Sequence, residues 1–398
     1  MTDRPNLLGP DVRANPYPLY AQLRRERPLC QVDPGGFWAV SRYRDIQFVL
    51  SNPQVFSSQG LRALLLPPRI ESNPLADSLL ALDPPTHTRL RGLVSHAFGP
   101  RAMARLEPQI RNVAGELAGR LCALGRADFM SEFAGPLSAR VIAEVLGLDP
   151  ALHVHFKRWT DAISAISPAI TDPARIAEIL GTVRETDGYL RQVIRARRDR
   201  PRDDMISDLL RPGARGDVMT DEELLAFLFV ILPAGLETSM YFLSSALRVL
   251  FERPDVVGRL RAERAHVPMF LEEVLRYDSP GHGTLRVTTR AAELAGAAVP
   301  PGAVILLLMA SSNRDEQKFK DADRFDMDRP SEKSLAFGYD VHFCLGAPLA
   351  RLEARVALEE LIARCERFVA LSDELEWNQS LTVRGPVRLP AEFTPRAS

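Results

Sequence analysis

The chain predicts a mainly α-helical protein with a smaller β region, and three observations carry that reading. Apolar residues recur at helical spacing through most of residues 101–200. One apolar run, Leu224 to Phe251, is far too long for a strand and reads as a helix through the protein centre. Strand-like stretches are short and confined to residues of about 28–60, 285–310 and 375–395. With 398 residues, 46% of them hydrophobic and 25% charged, the composition is that of a soluble globular protein with a large core. Lys plus Arg (50) nearly cancel Asp plus Glu (51), so no net field recommends nucleic acid as a partner. Cys30, Cys122, Cys344 and Cys365 are scattered without a CxxC pair, which argues against a disulfide framework or structural zinc and for a reducing cytoplasm. Met1 to Pro16 is polar and proline-bearing and lacks the roughly 20 apolar residues of a membrane anchor.

In chain order, Pro16 to Arg27 reads as an amphipathic helix, followed by a hairpin of Leu29–Val32 and Phe37–Ser41 around Asp33-Pro34-Gly35-Gly36. Arg44 to Ser51 resumes helix. From Phe56 to Leu82 the period is lost, and apolar residues such as Leu64 and Leu65 sit in a proline-rich stretch: either a lid with an apolar inner face or an irregular surface loop. Asp83 to Arg91 starts another helix, on which His87 and Arg91 are four apart and share a face. Helices are expected over Met103–Leu124, Glu132–Leu146, Leu152–Ile163 and Ile176–Arg197, separated by Gly125, Pro150, Pro168 and Pro173.

Thr220-Asp221-Glu222-Glu223 is a helix start with an N-cap and early carboxylates. In the middle of the apolar run that follows, Pro233-Ala234-Gly235-Leu236-Glu237-Thr238 should kink the helix and open a groove; the alternative for Thr238 is a hydroxyl bonded back to a carbonyl. Glu273 and Arg276 form an i,i+3 pair. Strands are expected at Leu285–Val287 and Ala303–Met309. Then, in Phe337-Gly338-Tyr339-Asp340-Val341-His342-Phe343-Cys344-Leu345-Gly346, glycines and a turn bring the backbone up to one cysteine just before a helix. The positive helix end there favours a thiolate, the form that ligates metals.

Phe-Gly-x-x-x-His-x-Cys-x-Gly-x-x-Leu-Ala resembles the haem-binding loop of the cytochrome P450 family, and Ala-Gly-x-Glu-Thr at 234–238 resembles its central-helix signature. The resemblance runs over nearly the whole chain and implies a single domain, residues 1–398, with the P450 fold: a triangular helical prism around a long central helix. It implies haem b with Cys344 as the iron ligand, Phe337 beside the sulfur, and Gly338 and Gly346 admitting the porphyrin. His87, Arg91, Arg286 and His342 would meet the propionates. Thr238 and Glu237, with Ala234 and Gly235, would manage water and protons. Arg324 would join Glu273 and Arg276 in a buried structural triad. Asp340 stands where the family has glycine, and Pro233 and Leu236 also depart from its pattern.

The resemblance further implies a monooxygenase that inserts one atom of O2 into a C–H or C=C bond of an apolar molecule, steroid- or terpenoid-like or another secondary metabolite. Leu64, Leu65, Ile170, Phe227, Val230, Ile231, Gly283 and Leu381 are candidates to line its pocket, and His282 either donates to substrate or is an exposed loop histidine. Electrons would come from a ferredoxin and an NAD(P)H-linked reductase docking near Arg101, Arg105, Arg351 and Arg355 on a monomeric, cytoplasmic protein. A peroxide-driven peroxygenase and a non-catalytic haem or partner-recruiting relative are the alternatives.

Overall fold

The computed structural model describes every residue except 1–3, 68, 69, 71, 167–171, 214, 215, 331, 397 and 398. The principal helices are α1 (Tyr17–Glu26), α2 (Tyr43–Leu50), α3 (Thr86–Val94), α4 (Pro100–Leu124), α5 (Gly135–Leu146), α6 (His153–Ser164), α7 (Pro173–Asp199), α8 (Asp221–Glu252), α9 (Pro254–Ala262), α10 (Val267–Tyr277) and α11 (Ala347–Arg364). The strands are β1 (Leu29–Val32), β2 (Phe37–Val40), β3 (Phe56–Ser57), β4 (Arg126–Asp128), β5 (Thr284–Thr288), β6 (Ala292–Leu294), β7 (Ala297–Val299), β8 (Val304–Leu307), β9 (Cys365–Ala370) and β10 (Pro390–Pro395).

The molecule is built around α8. Thr220 Oγ1 accepts from the Glu223 N–H at 3.1 Å while Glu223 Oε2 accepts from the Thr220 N–H at 3.0 Å, so both ends of a capping box are made. Asp221, Glu222 and Glu223 then set negative charge against the positive end of the helix. Its 32 residues span about 48 Å. Leu224 to Phe229 are buried on every side, and α5, α6, α7, α10 and α11 pack around the helix. By length and composition α8 could cross a membrane, but 67% of its most apolar window is buried, as in a core helix. Pro233 lies inside it and supplies no N–H to the Phe229 carbonyl.

One sheet has the order β1-β2-β8-β5-β3, with β2 and β8 parallel and the other pairs antiparallel; a second has the order β4-β10-β9. Arg286 on β5 is paired in register with Ile305 on β8, which carries it from the sheet toward the interior. The C-terminal β region starts at Cys365, earlier than its sequence suggests.

Two expectations are corrected here. The first concerns the cysteines: Cys122 and Cys365 form a disulfide. Helices α4 and α11 pack along each other, which brings the end of one beside the residue that follows the other. A separation of 243 residues hides that neighbourhood from any spacing argument. The second concerns the buried triad. Arg276 grips Glu273 through two bonds, Nη2 to Oε1 at 2.7 Å and Nε to Oε2 at 2.8 Å. The third member is Arg329, whose Nε lies 3.2 Å from Glu273 Oε1. The Arg324 side chain is 67% exposed and pairs with Asp326, and only its backbone carbonyl reaches Arg276. Ala322 and Phe325 are the buried residues of that segment, so Arg324 between them faces outward.

Candidate active site

Cys344 is carried inward on a loop whose turns are set by backbone bonds: Gly338 N to Leu335 O at 2.9 Å, Phe343 N to Asp340 O at 2.9 Å and Cys344 N to Phe337 O at 2.8 Å. Gly338 and Asp340 have φ of 76° and 56°. Glycine enters that left-handed region freely and aspartate tolerates it, so the turn survives the departure at 340. Gly346 caps α11, and a side chain there would stand 3.9 Å from the Cys344 sulfur, in van der Waals contact with it. The Phe337 ring is covered by the Arg351 guanidinium at 4.5 Å. Burial raises the Cys344 thiol above its ordinary 9.0, against the N–H groups of Gly346 and Ala347 and the charges of Arg91 and Arg351. The helix end alone therefore does not produce a thiolate. A coordinated cation would, by displacing the proton.

Facing the loop, α3 contributes His87 and Arg91, β5 contributes Arg286, and the loop itself contributes His342. The His87 and His342 rings lie 4.2 Å apart. His342 Nε2 is 3.2 Å from the Ser58 hydroxyl, whereas His87 Nδ1 is buried without a partner. Arg286 is 4% exposed and, among the described residues, donates to the Leu285 carbonyl and the Thr284 hydroxyl. Among the described residues neither Arg91 nor Arg286 has a carboxylate partner. Burial, then Arg286, His87 and Arg91, push the His342 imidazole down to about 2, and burial lowers Arg286 to about 10. Among the described residues Asp83 is the one acid bearing on this cluster, and it is committed to the Ser57 hydroxyl at 2.5 Å and the Ser58 N–H at 2.9 Å. A desolvated set of donors with an orphaned ring nitrogen fits the two carboxylates of a haem.

On α8, Leu232 and Leu236 are buried while Ala234 is exposed midway along the helix, which marks a gap in the packing there. Thr238 Oγ1 donates to the Ala234 carbonyl at 2.6 Å, the back-bonded arrangement. Gly235 has a packing role: a Cβ on it would fall 2.2 Å from Ile142 Cδ1, so its missing side chain lets α5 approach. Burial raises the Glu237 carboxyl to about 7, Asp161 adds to that, and Lys157 and the Ser164 hydroxyl oppose it. Lys157 and Asp161 pair at 2.8 Å and are 62% and 49% exposed, so α6 connects Glu237 to solvent.

Of the candidate pocket residues, Leu64, Leu65, Val230, Ile231 and Leu381 are half-buried. Phe227 is enclosed in the core at 1% exposure, in place of lining a pocket. Gly283 is wedged between β8 and the turn at Leu381, since a Cβ on it would meet the Leu307 carbonyl at 2.9 Å and the Leu381 carbonyl at 3.2 Å. Ile170 lies outside the described residues. His282 is buried, its Nδ1 3.3 Å from the Tyr20 hydroxyl, which corrects the exposed-loop reading. The basic surface is corrected too: Arg105 pairs with Asp203, Arg351 with Glu272, and Arg355 with Glu107 and Glu359, leaving Arg101 as the exposed arginine of that set without an ion pair among the described residues. Sequence reasoning missed Ser58, Asp161 and Arg329. Only the Phe325-Asp326-x-x-Arg329 run carried any signal, an arginine shortly after the expected one.

The family description "Cytochrome P450" matches residues 151–388. The chain belongs to the cytochrome P450 family. Cytochrome P450 109 of Bacillus spizizenii is 38% identical over 390 residues, which cover 96% of this P450 and 93% of that one. The structure of cytochrome P450 CYP109Q5 from Chondromyces apiculatus covers 100% of both chains at 38% identity, with a TM-score of 0.91. CYP109E1 from Bacillus megaterium, solved in complex with corticosterone, has a TM-score of 0.85 at 33% identity, covering 96% of this chain and 99% of that one. The fold is thus the P450 fold, the enzyme is a P450 oxidoreductase, and its cofactor is haem b.

Proposed function

We propose that the whole chain, residues 1–398, works as one monooxygenase domain on neutral, apolar, multi-ring small molecules, with electrons from a separate ferredoxin and reductase. Cys344 is the iron ligand in this reading, and His87, Arg91, Arg286 and His342 hold the propionates. The observation that carries it is the convergence of a half-buried free cysteine with a desolvated cluster of two arginines and two histidines, one ring nitrogen of which has no partner. Bound haem supplies reductive activation of O2 and insertion of one oxygen atom into substrate.

The chain's own residues do the rest. Glu237 takes up a proton near neutral pH from the Lys157–Asp161 edge of α6 and passes it toward Thr238. For that, the Thr238 hydroxyl must leave the Ala234 carbonyl. Half-buried Leu65, Val230, Ile231 and Leu381 offer a substrate hydrocarbon surface, which supports an uncharged ligand, and the corticosterone complex of CYP109E1 supports a multi-ring one. Phe343, 41% exposed beside Cys344, gives an electron donor an apolar contact close to the sulfur.

The test is spectroscopic. Purified protein should take up haem, give the thiolate-type Soret band when reduced with dithionite under carbon monoxide, and show displacement of iron-bound water by neutral steroids or terpenoids. A Cys344→Ser variant that keeps the same band would sink the ligand assignment.

A further inference from the structure

Glu353 is a buried acid that none of the roles above uses. It lies inside α11 at 1% exposure, where α11 packs on α8 and comes within hydrogen-bond reach of Ser138 on α5. Ser138 of α5 donates its hydroxyl to Glu353 Oε1 at 2.6 Å, and the hydroxyl of Ser239 on α8, the residue after Thr238, bears on the same carboxyl. The other oxygen, Oε2, is buried without a hydrogen-bond partner.

Among the described residues no cation offsets this group. On α4, Arg111 is taken by Glu107, Glu359 and Glu360; on α5, Arg140 is taken by Glu116. On α10, Glu272 pairs with Arg351, and Glu273 with Arg276 and Arg329; on α8, Glu237 turns toward α6; on α11 itself, Arg355 pairs with Glu107 and Glu359. An ionised carboxylate here would rest on two serine hydroxyls alone, deep in the core. A neutral acid instead gains an O–H that Ser239 can accept.

We propose that Glu353 is a positioning residue: a neutral carboxylic acid that pins α11 to α5 and α8, and so holds in place the Cys344 loop that leads into α11. The three elements joined by this one carboxyl carry the sulfur, the Thr238 turn and the Ile142 wall behind Gly235. Burial raises the carboxyl from 4.5 to about 7. Because the folded value lies above the unfolded one, the stabilisation is complete below about pH 4.5 and is lost as pH rises through about 7.

The proposal rests on Cys344 as iron ligand in one arm of its test only. Infrared spectra of the wild type, with or without haem, should show the C=O stretch of a buried carboxylic acid at pH 6 that Glu353→Gln removes; its absence from the wild type overturns the proposal. In the haem-loaded, reduced carbon monoxide form, passage from the thiolate-type to the thiol-type band should quicken about tenfold between pH 6 and pH 8, following the ionised fraction of a group titrating near 7. Glu353→Gln, neutral throughout, should change less than about twofold over that range, and Glu353→Leu should convert fast at both pH values. Equal pH dependence in the wild type and Glu353→Gln, or Glu353→Leu as slow as Glu353→Gln, would refute the pin. If the wild type takes up no haem, the haem assignments fail, and thermal midpoints of the same variants across this pH range still decide the role of Glu353.

Discussion

Replacing Arg329 by alanine tests the corrected triad most directly. Arg329 is 9% exposed, touches Glu273 Oε1 at 3.2 Å, and donates to the carbonyls of Lys320, Asp321 and Arg324. Removing one partner from a buried charge network costs about 3–5 kcal/mol. Glu273 keeps its two bonds to Arg276 in this variant, so the lower end, about 3 kcal/mol, is expected. For a chain of 398 residues unfolding as a unit, that lowers Tm by about 4 °C. Arg276→Ala should fall near the upper end, by about 6 °C, because Glu273 loses both bonds of its bidentate pair and the carbonyls of Asn313 and Ala322 lose a donor as well. Arg324→Ala breaks only a surface pair with Asp326 and should cost at most about 1 kcal/mol, about 1 °C. Differential scanning calorimetry of the three haem-loaded variants gives the ranking. An Arg324→Ala as destabilised as Arg329→Ala would refute the reasoning.

Four further outcomes are expected. Thr238→Ala should divert reducing equivalents from NAD(P)H into hydrogen peroxide, and full coupling in that variant, measured as product per NAD(P)H, would rule out its part in the relay. Product formation with surrogate redox partners should fall as pH rises through about 7, as Glu237 loses its proton, and Glu237→Gln should flatten that profile; an unchanged profile would remove Glu237 from the path. Peptide mapping without reductant should recover Cys122 and Cys365 as a linked pair, and Cys122→Ser should lower stability by up to about 5.5 kcal/mol, the loop-closure estimate for a sequence separation of 243. Gly235→Ala should displace Ile142 and cost about 1–3 kcal/mol in a denaturant titration, whereas a neutral result would mean that α5 yields freely.

Local chemistry was legible in the sequence wherever a feature depends on residues close along the chain. The capping box at Thr220 and Glu223, the bidentate pair of Glu273 and Arg276, and the left-handed turn through Gly338 and Asp340 all follow from spacing and backbone preference. The roles of residues a few positions apart were less secure. Arg324 and Arg329 have the same chemistry, and only the inward turn of Ala322 and Phe325 decides which of them reaches Glu273. Gly235 sits inside a motif that suggests an oxygen site, yet the space it leaves is filled by Ile142 from another helix. The arginines of that basic surface looked free because most of their carboxylate partners lie on other elements.

The sequence by itself determined the class of protein: a long apolar helix, short strands, and one cysteine set between a glycine turn and a helix start. Periodicity and turn chemistry are properties of neighbouring residues, so they survive without knowledge of the fold. Tertiary structure alone decided who meets whom across long separations: Cys122 with Cys365, Ser58 with His342, Ser138 with Glu353. It also decided the charge states, because an acid near 7 or an imidazole near 2 records the water removed by packing from every side, which no stretch of chain specifies alone.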